Sequence, residues 1–178
     1  MKFAGSPDGG AVCTFDAAEV EVLRQVPTML RSRYLPDSPE ALDRVDPVRE
    51  RLFPRAYLDP TEDRAEDDWR AAVHPEILRD RLDGLDRLVA GLDAGEAKGR
   101  RWRVTLGPAD VDVWIQVLND ARLTLGTLLE VTDESDFTRI APDDPQAPER
   151  AIYAWLSGLQ GALVETMLAT LPLDGDDD

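Results

Sequence analysis

Between residues 108 and 129 the chain carries apolar side chains nearly all round a helical wheel: Val111, Val113, Trp114, Ile115, Val117, Leu118, Leu123, Leu125, Leu128 and Leu129. Gly107-Pro108-Ala109-Asp110 starts this helix, with proline in the first turn where its missing N–H costs nothing. A helix apolar on every side does not lie on a surface; it sits in the middle of its domain with other elements around it. The rest of the chain must therefore supply one-sided partners. Three stripes at helical spacing do so: Val20, Leu23, Leu30 and Tyr34; Leu78, Leu82, Leu85, Val89 and Leu92; and Ile152, Trp155, Leu156, Leu159, Leu163, Met167 and Leu171.

Start signals mark where these helices begin. Asp16 followed by Glu19 is a capping box. Pro27 lies inside the helix that follows and removes one donor, which predicts a kink. Asp46-Pro47 predicts a short helix through Phe53, and Asp59-Pro60 repeats the signal for a segment running through Trp69 to Ala72. Pro75 then begins a further helix, with His74 at its start, and Gly95 to Gly99 ends it. Two short runs read as strand. Lys2-Phe3-Ala4 and Ala11 to Phe15 flank a Ser-Pro-Asp-Gly-Gly turn cluster and form a hairpin. Arg101 to Leu106 alternates strictly, with Trp102, Val104 and Leu106 on one face, as a half-buried strand must. The expected architecture is mainly α: a helical bundle around a buried central helix (about 108–129) with a small antiparallel sheet from the N-terminal hairpin and strand 101–106. Residues 1–173 form one domain and 174–178 a solvated acidic tail.

Composition narrows the function. With 20 basic and 36 acidic residues the net charge is −16. That balance argues against direct nucleic-acid binding, which needs clustered Lys and Arg, and against docking on anionic lipid. The charge is uneven: residues 104–178 hold 15 acids against 3 bases, and residues 1–103 hold 21 against 17. No apolar run reaches the roughly 20 residues of a membrane span, and the start lacks a signal-peptide core, so a cytoplasmic protein is expected. One histidine and one cysteine exclude imidazole and thiolate metal sites. The carboxylate pairs Asp67-Asp68 and Asp143-Asp144 read as solvated charge. Phosphate-loop, dinucleotide and nucleophile-elbow motifs are absent. Cys13 and His74 are the one nucleophile–base pair the composition permits, and nothing in the sequence orients them. The expectation is a non-enzymatic protein without cofactor.

Several residues stand out against that background. Cys13 shares strand parity with Ala11 and Phe15 and points into the core; a redox-sensitive thiol is the alternative. Lys98-Gly99-Arg100-Arg101-Trp102-Arg103 is the one basic cluster, so Arg100, Arg101 and Arg103 are candidate contacts to phosphate or an acidic partner, or else a solvated strand face. Asn119, Asp120 and Arg122 interrupt the apolar helix and need partners, either within the fold or in a ligand. Gly126 and Thr127 are expected to let another backbone approach. The four tryptophans leave a homodimer open.

Two runs carry a resemblance: Trp114-Ile115-Gln116-Val117-Leu118-Asn119-Asp120-Ala121-Arg122-Leu123-Thr124-Leu125-Gly126-Thr127, and Ile152-Tyr153-Ala154-Trp155-Leu156-Ser157-Gly158-Leu159-Gln160. With the hairpin, the His74-Pro75-Glu76 turn and the strand before Pro108 in matching order, the chain resembles an actinobacterial family catalogued as a domain of unknown function, the AosR-like oxidative-stress regulators. The resemblance implies a cytoplasmic transcriptional regulator working with an RNA polymerase sigma factor on cysteine-biosynthesis genes. It also implies sensing through an intramolecular disulfide, from which this sequence departs because Cys13 has no second cysteine to pair with. Trp114, Asn119, Asp120, Arg122, Gly126, Thr127, Tyr153 and Trp155 become the candidate partner-binding or structural network. Three function classes follow: a regulator whose acidic surface meets a basic protein partner, an adaptor or scaffold in proteolysis or sulfur metabolism, and a small-molecule-binding protein using the Trp114–Arg122 region.

Overall fold

The computed structural model describes residues 1–6, 8–35, 45–132, 135, 137, 140–141 and 143–169. Strands β1 (Lys2–Gly5) and β2 (Ala11–Phe15) lead into helix α1 (Ala17–Tyr34). Helix α2 (Pro47–Leu52), a 3₁₀ turn (Pro60–Glu62) and the long helix α3 (Asp63–Asp93) follow. Strands β3 (Glu96–Lys98) and β4 (Arg101–Leu106) come next, then helices α4 (Pro108–Leu128) and α5 (Ala147–Leu168). The acidic tail and the domain boundary expected at 173 lie outside the described residues.

Local chemistry explains most of these boundaries. The capping box opens α1: Glu19 N–H donates to Asp16 Oδ1 at 3.0 Å, and Asp16 N–H donates back to Glu19 Oε2 at 2.8 Å. Asp46 caps α2 by accepting from Val48 N–H at 3.0 Å, and Asp59 accepts from Thr61 N–H at 2.9 Å to start the 3₁₀ turn. Each cap satisfies a donor that the first helical turn leaves unpaired.

The four strands form one antiparallel sheet in the order β1-β2-β4-β3. Cys13 pairs with Phe3 on one side and Val104 on the other. Because side chains alternate, Ala11, Cys13 and Phe15 share one face with Val104 and Leu106, and all five are buried. Strand β3 was not expected. It is an exposed three-residue edge strand joined to β4 through Gly99, which adopts φ +64°.

Helix α4 is the centre of the molecule, touching α1, α2, α3, α5 and β4. Val111, Trp114, Val117, Leu118, Ala121 and Leu125 are buried along one side of it, whereas Asp112, Gln116 and, at its end, Leu128 are exposed, so the helix is central without the all-round burial that its apolar wheel predicts. Trp114 stacks on Phe15 with ring centroids 6.4 Å apart and planes 16° from parallel, joining helix to sheet. Leu156, Leu159 and Leu163 bring α5 onto one flank, and Leu85, Leu88 and Leu92 bring α3 onto another. Each fully buried leucine contributes about 2 kcal/mol of transfer free energy.

One boundary needs correction. Pro75 does not begin a helix; it lies inside the 31-residue α3, so His74 sits mid-helix and not at a start. Proline withholds a hydrogen bond from the carbonyl four residues earlier, that of Ala71. Both Pro75 and Ala71 are exposed, so water can serve that carbonyl while packing on both sides carries the helix through. No helix among the described residues is long and apolar enough to cross a membrane.

Candidate functional site

The polar residues of α4 divide into two sets on opposite flanks. Asp120 is buried and faces α1 and α3: the Tyr34 hydroxyl donates to Asp120 Oδ2 at 2.6 Å, and Arg81 Nη1 lies 3.2 Å from the same oxygen. The Arg81 guanidinium covers the Phe53 ring at 4.5 Å and the Tyr34 ring at 5.6 Å. Burial, more than any partner, raises the Asp120 carboxyl above its ordinary range, with Tyr34 and Arg81 pulling the other way. Burial and the neighbouring Asp120 charge likewise raise the Tyr34 hydroxyl. This set is enclosed by its own chain and joins α1, α3 and α4.

Arg122 faces the opposite way, toward α5. Its Nε donates to Ser157 Oγ at 2.8 Å, its Nη1 donates to Gln160 Oε1, and its guanidinium lies 5.9 Å from the centre of the Tyr153 ring. The two α5 acceptors are themselves fixed: Ser157 Oγ donates to Tyr153 O at 2.9 Å and Gln160 Nε2 to Ile115 O at 3.3 Å. Asn119, Arg122, Gly126, Thr127 and Tyr153 line one recess of about 390 Å³, completed by Arg51 of α2, Leu123 and Val131. Five of the sequence-selected residues thus converge on one concavity, which among the described residues carries two guanidinium groups and no carboxylate. Gly126 has a different role from the one expected. A Cβ there would stand 3.3 Å from Cε2 of Tyr153, so the glycine admits an aromatic ring and not another backbone.

The remaining candidates go elsewhere. Trp114 is in the core, and Trp155 Nε1 donates to Glu19 Oε1 at 3.3 Å on the far side of α5. Cys13 is fully buried, and burial pushes its thiol up to about 12, which suits a packing residue and not a thiolate nucleophile. His74 lies between the rings of Phe53 and Trp69, with centroids 5.5 Å from each, and burial lowers its pKa. The structure does not bring Cys13 and His74 together: the first is on the sheet, the second on α3 against α2.

The basic cluster is divided as well. Arg101 Nη1 is 3.6 Å from Asp16 Oδ2 and 3.8 Å from Glu19 Oε2, and Arg103 Nη1 is 3.4 Å from Glu96 Oε1, leaving Lys98 and Arg100 in solvent at the β3–β4 turn. Among the described residues no group of three or more His, Cys, Asp or Glu side chains is placed to hold a metal ion. A larger recess of about 660 Å³ lies between α2 and the start of α3; it is lined by Asp67 of the Asp67-Asp68 pair but by none of the residues selected for a partner, redox or basic contact. Its charges are mixed and only partly paired: Arg55 Nη2 is 2.6 Å from Asp63 Oδ1, and Glu66 accepts from Arg70 and from the Ala56 and Tyr57 N–H groups at 2.9 and 3.0 Å, while Arg49 has a buried Nη1 without a hydrogen-bond partner among the described residues.

Sequence reasoning missed Arg51, which carries no periodic or motif signal, and the roles of Ser157 and Gln160. The latter two were accessible in principle, since Tyr153, Ser157 and Gln160 recur at i, i+4 and i+7 on one helix face.

Comparison with known proteins places the chain in a family. The model of a domain of unknown function, DUF2017, matches residues 1–167. The putative oxidative stress regulator AosR of Mycobacterium leprae is 32% identical over 136 residues, covering 70% of this chain and 60% of that protein. The oxidative stress regulator AosR of Mycobacterium tuberculosis is 30% identical over 136 residues with the same coverage, so the match spans under two thirds of the length of these relatives. No solved structure matches the chain.

Proposed function

This chain belongs to the DUF2017 family, and from that premise we propose that it is a non-enzymatic regulatory protein acting through a protein partner and not by contacting DNA itself. Relatives named oxidative stress regulators support the regulatory part of the reading. The observation that carries the rest is the disposition of positive charge. Phosphate backbones are held by several adjacent cations free of competing carboxylates. Here Arg101 and Arg103 are matched to Asp16, Glu19 and Glu96, within a chain of net charge −16. An acidic surface of this kind suits a basic protein surface, and an RNA polymerase sigma factor in the cytoplasm is the partner we favour. Redox sensing by an internal disulfide is not part of the reading, because these 178 residues hold one cysteine and it is buried.

Affinity purification of the tagged chain from its native host, with and without oxidant, followed by mass spectrometry, tests the proposal. Enrichment of RNA polymerase or a sigma factor is expected. Recovery of protease-adaptor or sulfur-carrier proteins in their place would replace the regulator by an adaptor. Two copies of the chain are also part of the proposal, and a monomer mass by light scattering at micromolar concentration would remove that part.

A further inference from the structure

The recess between α2, α4 and α5 is chemically unlike the rest of the molecule. Most arginines elsewhere are neutralised by carboxylates, Arg24 by Asp93 at 2.8 Å, Arg31 by Asp86 at 2.7 Å, Arg150 by Asp144 at 2.8 Å, and Arg87 by Asp110, whereas Arg49, Arg64 and Arg100 stand apart from one another without such a partner among the described residues. Arg51 and Arg122 have no carboxylate partner among the described residues, and both line this recess. Arg122 is held in place by Ser157 Oγ and Gln160 Oε1, acceptors that fix the guanidinium without cancelling its charge. These bonds use Nε and Nη1, and its remaining donors are not committed to either acceptor. The Asn119 side-chain amide has no hydrogen-bond partner among the described residues and lines the same space. Leu123, Val131 and the Tyr153 ring provide apolar wall. About 390 Å³ falls within the range of small-molecule sites, which combine apolar walls with a few fixed polar groups.

We propose that this recess binds a small organic oxyanion, its carboxylate or phosphate group received by Arg122 and Arg51 and its apolar body lying against Tyr153, Leu123 and Val131. A guanidinium preorganised on neutral acceptors meets an oxyanion through charge-assisted, directional hydrogen bonds without first leaving a carboxylate. The Asn119 amide supplies a further donor. The site is independent of the partner-based reading above: a ligand here links α2, α4 and α5 whether or not the chain meets a sigma factor.

Amide and arginine Nε resonances of the isotope-labelled chain, titrated with benzoate, phenyl phosphate and the uncharged benzyl alcohol, test the proposal. Saturable shifts confined to Asn119, Arg122, Gly126, Thr127 and Tyr153 are expected with at least one of the two anions. Benzyl alcohol should bind about tenfold more weakly, the equivalent of losing one charge-assisted contact. The two anions separate the carboxylate source from the phosphate source. Arg51→Gln, on the exposed face of α2, should weaken anion binding severalfold while leaving the remaining spectrum in place; Arg122→Lys keeps the charge and should also bind more weakly because it loses the planar fork. Shifts that do not saturate, that spread over the arginines generally, that benzyl alcohol reproduces equally, or that Arg51→Gln leaves unchanged would overturn the assignment.

Discussion

Replacing Asp120 by alanine tests the packing of the central helix at the point where it carries a charge. Two groups depend on this carboxylate: the buried Tyr34 hydroxyl at 2.6 Å and the Arg81 guanidinium at 3.2 Å. Stranding a buried hydroxyl costs about 1–3 kcal/mol. Breaking a fully buried ion pair costs about 3–5 kcal/mol, but the Arg81 side chain is 25% exposed and can recover hydration, so only the lower part applies. Together these give about 3 kcal/mol for Asp120→Ala, which in a chain of this length lowers Tm by roughly 6–12 °C. Asp120→Asn keeps an acceptor for Tyr34 and should cost less. Tyr34→Phe alone should cost about 1 kcal/mol, and the double variant should reveal a coupling of about 1–2 kcal/mol. Urea unfolding followed by circular dichroism measures each term. The sign with pH is also fixed. Because burial raises the folded-state pKa of Asp120, the stability gained by binding this proton in the fold is complete below the ordinary carboxylate range and is lost as pH rises through the raised value, while the contacts of the ionised carboxylate to Tyr34 and Arg81 persist above it. A cost below about 0.5 kcal/mol for Asp120→Ala, additive with Tyr34→Phe, would refute the role assigned to this cluster.

Glu66 should govern acid stability. Its bond from Arg70, then the Tyr57 and Ala56 N–H groups, hold its folded pKa near 2 against an ordinary 4.5, so its contribution is present above 4.5 and lost as pH falls toward 2. Glu66→Gln should flatten that part of the stability profile in urea melts. Cys13 should react with a thiol reagent only when urea unfolds the chain, and Cys13→Ser should cost about 1–3 kcal/mol by burying an unpaired hydroxyl; rapid labelling of the native protein would contradict the burial. Two glycines should respond with opposite signs. At Gly95 a Cβ would lie 2.2 Å from Trp102 Nε1, whose N–H donates to Leu92 O at 2.9 Å, so Gly95→Ala should destabilise by about 1–3 kcal/mol. At the exposed helical Gly161 nothing lies within 4 Å, and Gly161→Ala should stabilise by up to about 1 kcal/mol in the same assay.

Features set by neighbouring residues were legible in the sequence. The Asp16–Glu19 capping box, the Asp46-Pro47 start and the alternation of Arg101 to Leu106 are local, and all three appear in the fold. The apolar run of α4 announced its central place, but not that one side of it, with Asp112 and Gln116, faces solvent. Pro75 misled because proline is both a helix starter and a helix breaker. What decided between these was packing on either side of an exposed turn, which the local residues do not report. Strand β3 carries no alternation because both its faces are wet. The candidate site was half legible. Asn119, Asp120 and Arg122 stood out as polar residues among leucines, but adjacent residues on a helix point about 100° apart. Their division between Tyr34 and Arg81 on one flank and Ser157 and Gln160 on the other joins residues 35 to 86 positions distant. That information lies in tertiary packing alone.

Regulation without direct contact to DNA is the central proposal. Fluorescence anisotropy of a labelled duplex, titrated with the purified chain at low salt, measures this directly. Non-specific DNA-binding proteins bind with Kd values of about 1–100 µM and tighten steeply as salt falls. The paired arginines and the net charge of −16 predict no saturable rise in anisotropy over that range. Saturable binding that strengthens with falling salt would contradict the account and return the β3–β4 turn, with Lys98 and Arg100, to consideration as a phosphate contact.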